Sequence, residues 1–252
     1  MKPRVGFFDF AGCEGCQLQI ANLEEQVIDL MGAVEVVSFR EVMKEHSDDY
    51  DIAFVEGCIE RPMDAERLKD IRTRAKLLVA LGACAHTGCV HKLRGAWHVE
   101  DVKKEVYGIA DPKDIQGNPY FEAYPNAKAL NEVVTVDAYI PGCPINKEEF
   151  VRVAKDLLLG KKPRLPNYPV CVECKKNENI CVFELGQFCL GPVTRAGCNA
   201  ACPNYRGACE GCRGYLDDPN MNAEKEIIKK YGFSVEEMMA AFNMFNFRKE
   251  GY

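Results

Sequence analysis

Val5-Gly6-Phe7-Phe8-Asp9-Phe10 runs directly into Ala11-Gly12-Cys13-Glu14-Gly15-Cys16, and the join between the two decides the fold. The first run is almost continuous in apolar residues, as a strand covered on both faces of a parallel sheet is. Gln17 to Met31 behind it has the character of a helix. Cys13 and Cys16 are thereby offered at the carboxyl end of a strand and the mouth of a helix. In an open α/β sheet ligands bind in the crevice beyond the strand carboxyl ends. A helix N-terminus also favours a thiolate over a thiol.

Outward from that join, strand-like and helix-like segments alternate. Glu35 to Phe39, Ile52 to Glu56, Leu77 to Leu81, and Val133 through Ile140 are expected as further strands. A helix is expected from Pro62 through Arg74, with proline in its tolerated first turn, and another from about Asn146 to Leu159. This alternation predicts a parallel, doubly wound α/β sheet. Trp97 to Asn131, of mixed polarity, is expected as an irregular insertion over one edge. The Pro-rich, charged stretch Gly160 to Pro169 marks a boundary, giving one domain over 1–164 and a second over 165–252. From Val170 to Gly214 the chain is rich in glycine and cysteine, without periodicity and with little apolar surface of its own. Bound metal would supply the missing stability. The tail from Asn222 to Lys249 is expected to be helical, with Ser234-Val235-Glu236-Glu237 as a capping box and an apolar face of Met238, Met239, Phe242, Met244 and Phe245 for packing.

Composition narrows the class. The 252 residues suit one large or two smaller domains, and 47% hydrophobic with 28% charged residues is ordinary for a globular protein. A net charge of -6, without a basic arm, argues against nucleic acid as a partner. No apolar run reaches the roughly 18 residues of a membrane span. Met1-Lys2-Pro3-Arg4 leads into a strand without a signal sequence, so a cytoplasmic protein is expected. In that setting 14 cysteines point to metal rather than disulfides.

The cysteines fall into sets. Cys13 and Cys16 follow the first strand, Gly82-Ala83-Cys84 the fourth, and Pro141-Gly142-Cys143-Pro144 the fifth. Four thiolates from distant positions can therefore converge on one crevice. Four thiolates suit a [4Fe-4S] cluster, with glycines admitting its sulfides, and zinc is the plainer alternative for four cysteines. The second segment carries Cys171, Cys174, Cys181 and Cys189, then Cys198, Cys202, Cys209 and Cys212, enough for two more four-cysteine sites. Cys202-Pro203 has the cysteine–proline step of bacterial ferredoxins, while the CxxC pairs equally fit a zinc ribbon.

Cys13-Glu14-Gly15-Cys16, Gly82-Ala83-Cys84 and Pro141-Gly142-Cys143-Pro144 resemble the proximal-cluster motifs of [NiFe] hydrogenase small subunits. Tyr168 through Cys174, Cys189 through Pro203, and Gly211-Cys212-Arg213-Gly214 resemble the cytosolic, multi-subunit (group 3) branch, that of sulfhydrogenase delta subunits and F420-non-reducing hydrogenases. The resemblance spans residues 3 to about 215. It implies a flavodoxin-like domain followed by a small, irregular iron–sulfur domain with a C-terminal helix, carrying three [4Fe-4S] clusters. On the family pattern Cys13, Cys16, Cys84 and Cys143 hold the proximal cluster. Cys198, Cys202, Cys209 and Cys212 hold the medial one, and Cys171, Cys174, Cys181 and Cys189 the distal one. The implied role is electron transfer, with the hydrogen-splitting centre on a separate large subunit. The further partner is a flavin and iron–sulfur subunit handling NAD(P), or a heterodisulfide-reductase-type acceptor.

The first domain alone also resembles the cluster-bearing subunit of respiratory NADH–quinone oxidoreductase. That family typically begins its motif with adjacent cysteines and lacks the second domain. A zinc scaffold without redox function would explain the CxxC pairs but not three cysteine sites at strand carboxyl ends. Cys89 stands where oxygen-tolerant relatives carry one of two extra proximal cysteines, yet Glu14-Gly15 occupies the place of the other. Cys58 and Cys89 are expected as buried, inert thiols, and His86, His91 and His98 as surface or contact residues. Glu56 is expected to cap a helix or loop rather than relay protons. No Gly-rich phosphate loop occurs, so nucleotide binding is not supported.

Overall fold

The computed structural model describes residues 2–24 and 32–245. Five parallel strands form one sheet in the order β2-β1-β3-β4-β5. They are β1 (Arg4–Asp9), β2 (Glu35–Phe39), β3 (Ile52–Glu56), β4 (Leu77–Leu81) and β5 (Ala138–Ile140). The register runs Val5 to Ile52 through Asp9 to Glu56, and Ile52 to Leu77 through Glu56 to Leu81. Strand order reverses beside β1, whose neighbours β2 and β3 follow it on opposite sides. A crevice opens at such a switch point, beyond the carboxyl ends of the strands.

Helices cover both faces. On one, α1 (Gly15–Ala21) and α5 (Lys147–Leu158) pack on β1 and β3, where Phe7 stacks on Phe54 at 5.1 Å and Phe54 meets the fully buried Phe150 at 5.4 Å. On the other, Leu68 and Ile71 of α2 (Pro62–Arg74) cover Phe8, Val55 and Ala80. The apolar strands are apolar because both faces are covered. α5 starts where expected, since the Asn146 side chain accepts from Glu149 N at 2.8 Å. The short α3 (Gly82–Thr87) springs from the end of β4, and a 3₁₀ helix over Cys89–Ala96 follows it.

Four expectations change. Only Ala138–Ile140 of the predicted last strand pairs with β4, because Leu130–Glu132 turns as 3₁₀ helix and delays entry to the sheet. The insertion holds a helix, α4 (Val99–Tyr107), with no buried residue to mark it as one. The helix after β1 is described only as Gly15–Ala21, and residues 25–31 of the predicted Gln17–Met31 lie outside the described residues. The tail is two helices, α8 (Met221–Tyr231) and α9 (Val235–Met244), parted at Gly232, and its residues beyond 245 lie outside the description. The capping box forms as predicted, Ser234 N and Glu237 N each bonding the other's side chain at 2.8 and 3.1 Å.

The cysteine-rich segment contains α6 (Val170–Lys176) and the short α7 (Ala201–Asn204). Its small core is Val170, Val182, Phe183 and Ala200 together with Cys189 and Cys209. Phe183, Tyr231, Phe233, Phe188 and Phe242 form an aromatic roof that brings α8 and α9 over it. Part of the predicted apolar face therefore packs, while Met239 stays half exposed. Among the described residues no helix is long and apolar enough to cross a membrane.

Candidate metal centre

The carboxyl edge of the sheet delivers the thiols. β1 gives way to a loop in which Glu14 takes a left-handed turn (φ 58°), so that Gly15 opens α1. Cys13 stays exposed in that loop and Cys16 is buried one residue into the helix. Glu56, at the end of β3, is 3% exposed. Its two carboxylate oxygens accept from Cys16 N at 3.0 Å and Gln17 N at 2.9 Å. These are the free N–H groups of the helix start, so Glu56 caps α1, as the sequence reading expected.

Cys84 lies in α3, and Cys143 lies exposed in the Pro141–Pro144 turn after β5. The two loops are tied by Ala83 N donating to Gly142 O at 2.7 Å. Gly82 sits at φ 78°. A Cβ there would collide with the Cys16 sulfur, so the strand exit must be glycine for that sulfur to lie beside it. On the far side of Cys16, Gly15 separates the Cys13 sulfur from Pro144, at 3.3 and 3.8 Å from its Cβ position. The four predicted ligands thus gather at one end of the sheet.

A fifth thiol joins them. Cys89, 1% exposed and in a left-handed turn, hydrogen-bonds both Cys84 and Cys143. Its hydrogen bond, helped by His91, holds the Cys84 thiol down to about 5, and it lowers Cys143 as well. Burial, with the Glu56 charge behind it, pushes Cys16 the other way. A buried sulfur of that kind becomes a thiolate only against a positive centre, which a metal provides. The expectation of an inert Cys89 misses this contact; its spacing of five from Cys84 is the signal.

The series continues into the second segment. The Cys143 backbone N–H donates to the Cys212 sulfur, and the Cys202 and Cys212 thiols lie within electrostatic reach of Cys198 and Cys143. Burial raises Cys212 to about 12 and raises Cys209 too. Cys209 N donates to the Cys189 sulfur at 3.2 Å. A Cβ on Gly191 would stand 3.3 Å from that sulfur and 3.4 Å from the sulfur of Cys171. Cys174 and Cys181 line the same small core. Glu173, between Cys171 and Cys174, fixes the Cys198 loop by accepting from Gly197 N at 2.8 Å and Ala200 N at 3.0 Å. The structure brings together thiols of both predicted quartets at Cys189 and Cys209.

One residue joins the two halves through contacts that the sequence does not disclose. Arg213, next to Cys212, is 1% exposed. Its guanidinium donates to Glu149 Oε2 on α5 at 2.7 Å, to Pro141 O at 2.6 Å and to Ala196 O at 2.9 Å. It therefore fixes the turn bearing Cys143 against the loop bearing Cys212.

A flavodoxin-like sheet with thiols converging on its carboxyl edge, and a cysteine-rich segment packed beside that edge, defines a metal-bearing subunit of the redox class. The family model described as NADH ubiquinone oxidoreductase, 20 Kd subunit, matches residues 13–157, and the chain belongs to that family. It is 37% identical over 229 residues to the sulfhydrogenase 2 subunit delta of Pyrococcus furiosus, with 90% of this chain and 92% of that protein covered. It is 31% identical to a subunit of the vhu F420-non-reducing hydrogenase of Methanococcus voltae, covering 86% of this chain and 84% of that one. The solved NAD+-reducing [NiFe]-hydrogenase in its H2-reduced state contains a chain of the same fold, with a TM-score of 0.59 and 29% identity. That likeness covers 66% of this chain and 96% of the other. The expected resemblance to hydrogenase small subunits is met.

Proposed function

We propose that this chain is the electron-transfer small subunit of a cytosolic [NiFe] hydrogenase, carrying three [4Fe-4S] clusters. The observation that carries the reading is the unbroken series of thiols from the exposed edge at Cys13 and Cys143, through Cys212 and Cys198, to Cys209, Cys189 and Cys171. A relay needs redox centres placed in file, and a hydrolytic or binding module does not. The two relatives support it, because they extend over the cysteine-rich segment as well as the sheet.

The residues present fit such clusters: thiols in fours, a glycine beside the Cys16 sulfur, and neighbours that lower the Cys84 thiol toward its thiolate. In this reading Cys13, Cys16, Cys84 and Cys143 hold the proximal cluster. Cys198, Cys202, Cys209 and Cys212 hold the medial one, and Cys171, Cys174, Cys181 and Cys189 the distal one. The clusters supply one-electron redox chemistry, and the protein orients them and sets their surroundings. Glu56 holds the helix that presents Cys16. Cys89 lies against the sulfurs of both Cys84 and Cys143 and donates its single S–H to one of them at a time, which stabilises the charge of the thiolate it faces. Arg213 sets the separation of the proximal and medial ligand loops. Domains of 1–164 and 165–252 fit this division of labour. The large subunit would cover Cys13 and Cys143, and a flavin and iron–sulfur NAD(P)-handling subunit or a heterodisulfide-reductase-type acceptor would take the electrons.

The family match over residues 13–157 favours a second reading, a quinone-oxidoreductase-like subunit without hydrogen chemistry. That reading leaves the eight later cysteines unused. Anaerobic purification through a tag on this chain, with metal analysis of what co-elutes, separates the two. About twelve irons per chain with nickel and a large partner is the expected result. Iron without nickel supports the second reading, and zinc without iron overturns both.

A further inference from the structure

Cys58, Glu60 and His91 belong to neither the proximal set nor the later cysteines, yet their ligand atoms all lie within 4.8 Å of one another. The backbone makes this a fixed arrangement. Beyond β3 and the left-handed Gly57, Cys58 forms an antiparallel bridge with Ala11, through N–H···O bonds of 2.8 and 3.1 Å. Ile59 pairs with Lys128, and the carbonyl of Glu60 accepts from Tyr124 N at 2.7 Å. In an extended segment residues two apart point the same way, so Cys58 and Glu60 face one side together. His91 comes to that side on the 3₁₀ helix after Cys89.

Cys58 is wholly buried, whereas the side chains of Glu60 and His91 are 24% and 26% exposed. The cluster therefore has a closed sulfur end and a side open to solvent. Glu60 Oε1 lies 2.9 Å from His91 Nδ1, and Arg94 Nη1 lies 3.5 Å from Glu60 Oε2. One carboxylate oxygen is thus aimed into the cluster while the other is held from outside, as an outer partner orients a metal ligand.

We propose that Cys58, Glu60 and His91 form a mononuclear site for a borderline-soft divalent cation, of which zinc is the type. One thiolate, one imidazole and one carboxylate, with a fourth position open, is a donor set that zinc accepts and that magnesium or calcium does not favour. The imidazole also contacts Cys84, so the site borders the proximal thiols while sharing no ligand with them. The proposal does not depend on the relay reading, since that reading assigns none of these three residues.

The test uses the full chain, purified anaerobically with its iron and passed over a chelating resin. One equivalent of Zn2+ is then added. Zinc per chain is counted, zinc affinity is read by competition with a chromophoric chelator, and Zn K-edge absorption reads the shell. One zinc is expected, with a single sulfur at about 2.3 Å and nitrogen or oxygen at about 2.0–2.2 Å. Glu60→Gln and His91→Gln change only part-exposed side chains, and each is expected to weaken zinc about tenfold or more; Glu60→Gln, whose side chain does not touch the proximal thiols, is expected to leave the iron content unchanged. No zinc uptake, a shell of four sulfurs, or equal affinity in the wild type and both variants would overturn the site. A chain that holds no iron but shows the single-sulfur shell would sink the relay reading and support this one.

Discussion

Replacing Arg213 by Met tests whether the two halves are held as described. The guanidinium is 1% exposed and its partner carboxylate 2%, with 2.7 Å between them. Methionine fills much of the volume but leaves Glu149 with only Arg152, at 3.0 Å and half exposed, for an ion pair. The carbonyls of Pro141 and Ala196 lose their donor as well. Breaking one side of a buried pair costs about 3–5 kcal/mol, because the remaining charge is stranded. Burial already pushes the Glu149 carboxyl upward, so protonation caps the loss toward the low end of that range. For a chain of this size about 1 kcal/mol moves Tm by roughly 2–4 °C, so a fall on the order of 10 °C is expected. The assay is anaerobic thermal unfolding of the iron-loaded chain at one scan rate, followed by circular dichroism. Arg213→Met with Glu149→Leu removes both charges and is expected to recover part of the loss. A single variant within about 1 kcal/mol of the wild type, or a double variant no better than the single, would refute the reasoning.

Gly82→Ala places a Cβ against the Cys16 sulfur at a backbone angle of φ 78°. It is expected to cost the proximal cluster alone, about four of the twelve irons, as iron analysis would read. Glu56→Ala strips two N–H groups of their buried acceptor. A loss of about 1–3 kcal/mol is expected, with faster amide exchange confined to Cys16 and Gln17. Stripping iron with an oxidant and chelator is expected to unfold 170–214 and leave the sheet standing, because the small core there is partly made of thiols. Limited proteolysis should then cut within residues 170–214 first, and unchanged resistance there would count against metal as the stabilising element.

The parts of the fold that the sequence disclosed are those whose burial is total. Leu77–Leu81 pairs on both sides, lies under helices on both faces, and is written in apolar residues throughout. β5 is an edge strand, and the apolar Val133, Val134 and Val136 before it are only partly buried, so apolar character there overstated its length. Val99, Val102 and Val106 stand at helical spacing, but the mixed polarity of the surrounding insertion obscured this short helix, none of whose residues is buried. The cysteines proposed as ligands were legible because each follows a strand or falls in a spaced set. The pairing of Arg213 with Glu149 was not, since it forms across 64 residues, and the motif around Cys212 names no partner for Arg213. His91 reaches Glu60 across 31 residues for the same reason.

The separation of Cys13 from Cys143 has a consequence for how the molecule comes to be made. Those thiols meet only after every strand has taken its place, because they follow the first and last strands of the sheet. The eight cysteines from Cys171 to Cys212 are gathered by short turns and helices and need far less of the chain to be in order. Contacts between distant parts of a chain close more slowly than local ones. On a ribosome the crevice at the sheet edge cannot exist until the fifth strand has emerged, and the local sites follow within a short further length of chain. Whatever loads the metal therefore meets, at one end, a cooperative pocket that waits on the whole sheet, and at the other, pockets that close almost as soon as their own residues are free.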